Sequence, residues 1–328
     1  MTQVFQIDAD DGLAPHEFEQ AELAKVGARL VLGDCTTREQ VIERAGDARV
    51  LWLAWRPGVD AVVLDALPDV ELVIRWGVGY EQIDVAAATS AGVAVANAPT
   101  YGTVDVAEHV LALLLAGARR IAWYHERMRA GDWPAAVADT QRVSGRVLGL
   151  LGLGRIGAAV AERARGLGLE VIAHDPALDG ATMAARGVRS VDLDELLATS
   201  DYLSVHVPLT AETRHLINAE RLAALRPHAA LLNASRGPIV DTDALLAALD
   251  SGRLAWAGLD VYEDEPLPAD SPLRTAPNVV LTPHVAGYSE QAWRDLRAEM
   301  CLTTTQWLRD GWADRIVNPD VRTRLRHR

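Results

Sequence analysis

The chain has 328 residues, 49% of them hydrophobic and 23% charged. At roughly 150 residues per domain this predicts two domains, each able to bury its own core, and it excludes disorder, a collagen-like fibre and a disulfide scaffold. The formal net charge of −13, with no local basic cluster, argues against a nucleic-acid or anionic-membrane partner.

Short β-branched runs alternate with helical patterns, which predicts an α/β protein with parallel sheets. Met1 to Pro15 carries acids and no basic segment leading into an apolar core, so no signal peptide is predicted. Strands are expected at Val4–Ile7, Leu30–Leu32, Val50–Leu53, Leu72–Ile74 and Val93–Val95, with helices over Glu17–Val26, Arg38–Ala45 and Val85–Ala91. The only lysine, Lys25, follows no glycine loop, which excludes a P-loop, and it is a poor candidate for a Schiff base. A long helix is expected from Val104 to about Arg129, with Leu111, Leu114 and Leu115 at helical spacing. Its apolar stretch Val110–Ala118 is about half the length that crosses a bilayer. Gly131–Ser144 reads as a connection. A second strand series follows at Val147–Leu151, Val171–Ala173, Tyr202–Val205, Ala230–Leu232, Ala257–Leu259 and Val279–Leu281. Helices such as Ile156–Leu167 and Thr242–Leu249 lie between, and Ser289–Arg309 closes the pattern as one long helix. Cys35 and Cys301 form no CxxC pair; they build neither a disulfide framework nor a zinc site and suit a reducing cytoplasm.

Ligands of open parallel sheets bind beyond the carboxyl ends of the strands. In the second series those ends carry Gly152-Leu-Gly154-Arg155-Ile156-Gly157, then His174-Asp175-Pro176, His206-Val207-Pro208, Ala234-Ser235-Arg236-Gly237, Asp260 with Glu263, Asp264 and Glu265 beyond it, and Pro283-His284. In the first motif, Gly152 permits the tight turn, Gly154 lets backbone approach a pyrophosphate, and Gly157 lets the helix pack on the strand. The phosphates then face a helix N-terminus, whose N–H groups favour anions. A glycine motif of this kind is weak evidence alone, but here it follows a strand, opens a helix and precedes a strand ending in Asp175. A carboxylate there suits ribose hydroxyls and repels a 2′-phosphate, which favours NAD over NADP; the bland alternative is that Asp175 caps the turn before Pro176.

Hydride transfer to a carbonyl needs a proton donor, and histidine titrates in the right range. Of nine histidines, His16 and His327 are near the ends, and His125, His215 and His228 fall in helices or turns. His109 lies on the apolar helix, where packing is its expected role. His174, His206 and His284 remain as strand-end candidates. An arginine fork could hold a substrate carboxylate: Arg236 before a Gly-Pro turn is one candidate, with Arg75 and Arg155 as competitors. Glu263, Asp264 and Glu265 are each available to pair with the histidine and keep it protonated.

Taken together, these residues resemble the D-isomer-specific 2-hydroxyacid dehydrogenases over nearly the whole chain. The likeness is carried by Gly152–Gly157, Asn233-Ala-Ser-Arg236-Gly237-Pro-Ile-Val-Asp241, Gly258-Leu-Asp260-Val-Tyr-Glu-Asp-Glu265-Pro266 and Thr282-Pro-His284-Val-Ala-Gly287. Within the family, Pro99–His109 and Gly287–Ala292 look most like the phosphoglycerate dehydrogenase and C-terminal binding protein branch. The resemblance implies two doubly wound parallel-sheet domains: a flavodoxin-like substrate domain over residues 1–98 plus 289–328, and a Rossmann NAD domain over residues 99–288. It implies catalysis by Arg236, Glu265 and His284, and cofactor contacts from Gly152, Gly154, Arg155, Ile156, Gly157, Asp175, Val207, Pro208, Ala234, Ser235, Asp260 and His284. Asp260 would touch the nicotinamide carboxamide. Substrate contacts would come from Arg236, from the backbone of Val78 and Gly79 in the loop Arg75-Trp76-Gly77-Val78-Gly79, and from Trp55. The Trp52-Leu-Ala-Trp55-Arg56 segment with Trp76 reads either as a pocket for a large side chain or as packing. The implied activity is NAD-dependent interconversion of a D-2-hydroxyacid and a 2-oxoacid, without a metal, in a cytoplasmic homodimer. The alternatives are an NAD(H)-responsive, corepressor-like binding protein and a 3-phosphoglycerate dehydrogenase.

Overall fold

The computed structural model describes residues 1–8, 16–133, 140–276 and 278–326. The Met1–Pro15 and Gly131–Ser144 segments fall partly outside them, and His327 wholly. The chain divides into two compact units, Met1–Tyr101 with Ser289–Arg328, and Gly102–Tyr288. Among the described residues no helix is long and apolar enough to cross a membrane.

The first unit holds β1 (Thr2–Gln6), β2 (Ala28–Leu32), β3 (Val50–Leu53), β4 (Leu72–Arg75) and β5 (Ala94–Ala96). They form one parallel sheet in the order β2-β1-β3-β4-β5, the flavodoxin-like winding. The central strands read as unbroken apolar runs because both of their faces are covered. One face, with Val50, Trp52, Leu72 and Ile74, packs under α1 (Glu17–Ala24) and α12 (Glu290–Asp310) through Leu23, Leu296, Met300 and Trp307. The other, with Phe5, Leu51, Leu53 and Val73, packs under α2 (Arg38–Ala45), α3 (Ala61–Ala66) and α4 (Val85–Ser90). Helix α3 is not among the helices expected from the sequence; its start is set by the Asp60 carboxylate, which accepts from Val63 N–H at 3.1 Å. Pro99–Tyr101 stays with this unit, where Glu299 of α12 accepts from both the N–H and the hydroxyl of Thr100.

The second unit holds β6 (Val147–Leu151), β7 (Glu170–His174), β8 (Arg189–Ser190), β9 (Tyr202–Val205), β10 (Ala229–Asn233), β11 (Leu254–Leu259) and β12 (Val279–Leu281). Their order, β12-β11-β10-β9-β6-β7-β8, is the Rossmann winding, with its switch point between β6 and β9. All strand pairs are parallel, so the residues that follow these strands share one edge. The expected long helix is two: α5 (Thr103–Ala118) and α6 (Ile121–Arg129), broken where Arg120 takes a left-handed φ of 54°. No glycine or proline marks the break. What distinguishes the halves is burial: α5 buries Val110, Leu111, Leu113 and Leu114, whereas α6 buries nothing. With α7 (Arg155–Gly166) and α8 (Gly180–Ala185), α5 covers one sheet face; α9 (Leu193–Thr199), α10 (Ala219–Ala224) and α11 (Thr242–Asp250) cover the other.

Helix α5 lies unusually close to β11. A Cβ at Gly117 would stand 2.2 Å from the Trp256 ring. Helix propensity alone would credit Gly117→Ala with about 1 kcal/mol. We expect the clash with the buried indole to win, with a net loss of about 1–3 kcal/mol read as a lower urea midpoint.

Candidate active site

The turn after β6 is held by Gly152, whose N–H donates to His174 O at 2.9 Å and whose φ is +97°. A side chain there would meet the His206 backbone at 2.9 Å, and one at Gly157 would meet Gly152 O at 2.4 Å. Gly154 is different: it is exposed, and an added Cβ would meet nothing within 4 Å. It is the N-cap of α7 and supplies no side-chain acceptor, so the first N–H groups of that helix open beside exposed Arg155 and half-buried Ile156. Asp175, at the end of β7, accepts from Leu153 N–H (2.8 Å, Oδ2) and Ala177 N–H (3.0 Å, Oδ1). Asp175 therefore caps the turn, as the alternative reading has it, and each of its oxygens retains acceptor capacity that a hydroxyl could use. An uncapped helix N-terminus, open space above Gly154 and a carboxylate at the next strand end fit a dinucleotide.

The ends of β9 and β10 are tied together, since the Ser235 hydroxyl donates to Val207 O at 2.6 Å. Asn233 pins the next turn at both ends, accepting from Ser235 N–H and donating to Arg236 O, each at 3.0 Å. Ala234 and Arg236 are half-buried and Pro208 exposed; Arg236 Nη1 donates to Ser235 O at 2.7 Å. Gly237 presses this turn on the next loop, where a Cβ would fall 1.9 Å from the Tyr262 backbone.

That loop settles which carboxylate meets which histidine. Glu263 pairs with His215 at 2.6 Å, and Glu265 pairs with His284, Oε2 to Nδ1, at 2.6 Å. Glu265 Oε1 accepts from Tyr262 N–H at 2.9 Å. Burial pushes the Glu265 carboxyl up, but its bond to His284, the charge of that ring, the Tyr262 N–H and the Arg236 charge outweigh this and hold it below the usual carboxylate range. The side chains of His284 and Glu265 are 29% and 32% exposed, so a reactant can reach them. The other two strand-end histidines are occupied structurally. His174 Nδ1 contacts Val191 O at 3.1 Å; His206 Nε2 contacts Ser204 Oγ at 2.8 Å, and burial lowers its pKa to about 4.

His284 sits at a φ of +55°, a conformation costly for a side chain with a Cβ. Asp260 holds it there. Its carbonyl accepts from His284 N–H at 2.8 Å, and its carboxylate, fully buried, accepts from the Thr282 hydroxyl (2.6 Å), Val285 N–H (3.0 Å) and Ala286 N–H (2.9 Å). Sequence reasoning missed His109: its Nε2 lies 2.9 Å from Thr282 Oγ1 and 3.5 Å from Asp260 Oδ1.

The residues expected to meet substrate from the first unit gather at the ends of β3 and β4. The Arg75 guanidinium donates to Trp76 O and lies 5.0 Å over the Trp55 ring. Val78 and Trp55 are exposed, Gly79 is half-buried, and Val78 O accepts from Asn97 at 2.6 Å. Trp52 and Trp76 are buried, edge to face at 5.8 Å, with Trp52 Nε1 donating to Thr304 at 2.9 Å; both are packing. Asp8, which no motif marks, accepts from Ala54, Trp55 and Arg56 N–H and so shapes the loop that presents Trp55. Burial pushes its carboxyl up, against those N–H groups.

Among the described residues no cluster of His, Cys, Asp and Glu could hold a metal. Residues 111–286 match the D-isomer specific 2-hydroxyacid dehydrogenase NAD binding domain. A glyoxylate reductase of Korarchaeum cryptofilum is 42% identical over 268 residues, 80% of each chain. A D-3-phosphoglycerate dehydrogenase of Methanocaldococcus jannaschii is 36% identical over 283 residues, 86% of this chain and 54% of that one, so this chain spans about half its length. A D-lactate dehydrogenase of Aquifex aeolicus, solved with NAD and lactic acid, superposes with a TM-score of 0.85 at 26% identity, covering 97% of this chain and 99% of that one. The chain belongs to the D-isomer specific 2-hydroxyacid dehydrogenases, and its second unit carries the family's NAD-binding domain.

Proposed function

We propose that this chain reduces a small 2-oxoacid to the D-2-hydroxyacid, reversibly and with NAD(H), and that Arg236, Glu265 and His284 carry the chemistry. The observation that carries the reading is the 2.6 Å His284–Glu265 pair, partly exposed at the strand edge that also bears the glycine turn and Arg236. The nicotinamide, when bound, supplies or takes the hydride. His284, with Nδ1 committed to Glu265, gives a proton from Nε2 to the carbonyl oxygen and recovers it in the reverse direction. Glu265 orients the ring and stabilises its charged form. Arg236 offers a planar fork to the substrate carboxylate and a fixed positive charge to the developing oxyanion.

The cofactor set is Gly152, Gly154, Arg155, Ile156, Gly157, Asp175, Val207, Pro208, Ala234, Ser235 and His284, with Asp260, which has no exposed surface, acting from behind the His284 turn and with the first unit as substrate domain. Family likeness supports Val78 and Gly79 N–H groups as further carboxylate donors and Trp55 as a substrate contact. Helix α6, which buries nothing and exposes Ile121 and Met128, with exposed Trp133 just beyond it, supports a homodimer. The unpaired thiols of Cys35 and Cys301 support a cytoplasmic setting.

The test is NADH oxidation with a panel of 2-oxoacids, glyoxylate and a phosphorylated 2-oxoacid included. We expect turnover with at least one, and a loss of about 10²–10⁴ in kcat for His284→Ala with NADH affinity retained; wild-type turnover in that variant would remove His284 from the mechanism. Asp175→Ala should lower the NAD-to-NADP preference in kcat/KM, and an unaltered ratio would count against the ribose contact. The pH dependence of stability gives a third check. The unfolded chain protonates His206 near pH 6.5 and the folded chain only near about 4, so acid favours unfolding across that window. Urea midpoints of the wild type should fall more steeply between pH 6.5 and about 4 than those of His206→Asn. Parallel slopes would mean this imidazole is not held neutral by the fold.

A further inference from the structure

Three groups account for one another's protons at the buried end of β11. Asp260 Oδ1 only accepts, so the 2.6 Å contact uses the single proton of the Thr282 hydroxyl. The 2.9 Å contact between that hydroxyl oxygen and His109 must then be donated by His109, which fixes the proton on Nε2. The chain His109→Thr282→Asp260 continues to the N–H groups of Val285 and Ala286, the two residues after His284.

The fold delivers His109 to this point by a shared register. Gly117 meets Trp256, and Leu113 Cβ lies 3.2 Å from where a Cβ on Gly258 would stand, while His109 lies 3.5 Å from Asp260. Four residues of helix rise about 6.0 Å and two residues of strand about 6.6 Å, so α5 and β11, running in opposite directions, stay in step over three contacts. The last of them places an imidazole where the first two place packing.

We infer that His109 and Thr282 are positioning residues for His284: they orient the Asp260 carboxylate, which holds the left-handed turn presenting the acid/base ring. This rests on the reading of His284 as the acid/base. Neither residue is assigned a contact with reactants, so the loss expected on removing either is in kcat, with little change in substrate KM.

The experiment compares His109→Ala, Thr282→Val, the double variant, His109→Gln and His284→Ala in steady-state NADH oxidation. Expected are a fall in kcat of about tenfold or more for each single variant, from misplacement of the ring, and KM within about twofold. The double variant should be no worse than the poorer single one, since both act through one carboxylate. His109→Gln keeps an N–H donor and should recover most of the rate. Wild-type kcat in His109→Ala and Thr282→Val, alongside an inactive His284→Ala, would overturn the inference while leaving the proposed activity intact. A loss that His109→Gln shares in full, or that appears in KM instead of kcat, would also overturn it. Should His109→Ala fail to fold, His109→Gln and Thr282→Val carry the same comparison. An active His284→Ala would instead overturn the acid/base reading on which the inference stands.

Discussion

A carboxylate with no exposed surface, Asp260, sets the geometry on which the candidate site depends. Burying an ionised group is costly unless donors replace its water, and three of its roughly four acceptor positions are filled by the Thr282 hydroxyl and two backbone N–H groups. Those donors come from the segment that carries His284. The bonds therefore do two things together: they compensate the charge, and they hold a non-glycine residue at a φ of +55°. Such a conformation costs on the order of 1 kcal/mol or more and persists only where surrounding structure over-determines it. A carboxamide at position 260 would lose acceptor capacity where the loop supplies only donors, so the charge and the turn belong to one design.

The same economy governs the neighbouring turns. Asn233 closes Ala234–Arg236 from both sides, and Gly237 lets that turn lie directly on the Tyr262 backbone. Tyr262 N–H in turn fixes Glu265, and Glu265 fixes the His284 ring. Arg236, Glu265 and His284 are thus joined across consecutive strand ends, by backbone packing and a backbone N–H as far as Glu265 and then by its side-chain bond to His284.

Much of this could be read from the sequence because a parallel sheet sorts it. Every strand of the second unit points one way, so whatever follows each strand arrives at the same edge, and Gly152, Asp175, Arg236, the three strand-end histidines and Glu263, Asp264 and Glu265 could be grouped before any coordinates; the choice of Arg236, Glu265 and His284 among them comes from the family resemblance. Local pattern failed where the determining contact is distant. Asp8 carries no motif, and its role appears only when β1 lies beside β3. His109 looked like a packing residue because its partner, Thr282, is 173 residues away. For Trp52 and Trp76 the sequence leaves pocket and packing both open, and their burial is decided by α12 near the other end of the chain. The break at Arg120 has no local breaker; it falls where the helix runs out of core to cover.

Of the histidine–carboxylate arrangements in this unit, His284–Glu265 and His109–Asp260 have surroundings that give them opposite capacities. His284 and Glu265 are each about one-third exposed, so water screens a change of charge on the pair, and Arg236 offsets the carboxylate from a third side. Proton exchange there is compatible with an intact fold. Asp260 has no such screening, and a proton gained or lost beside it is felt at low dielectric by every N–H it holds. The first arrangement is suited to changing state during a reaction; the second is suited to remaining unchanged while the first does so. Interposing the Thr282 hydroxyl between His109 and Asp260 serves that difference, because a hydroxyl passes on orientation through a single committed proton and brings no charge of its own into the buried site.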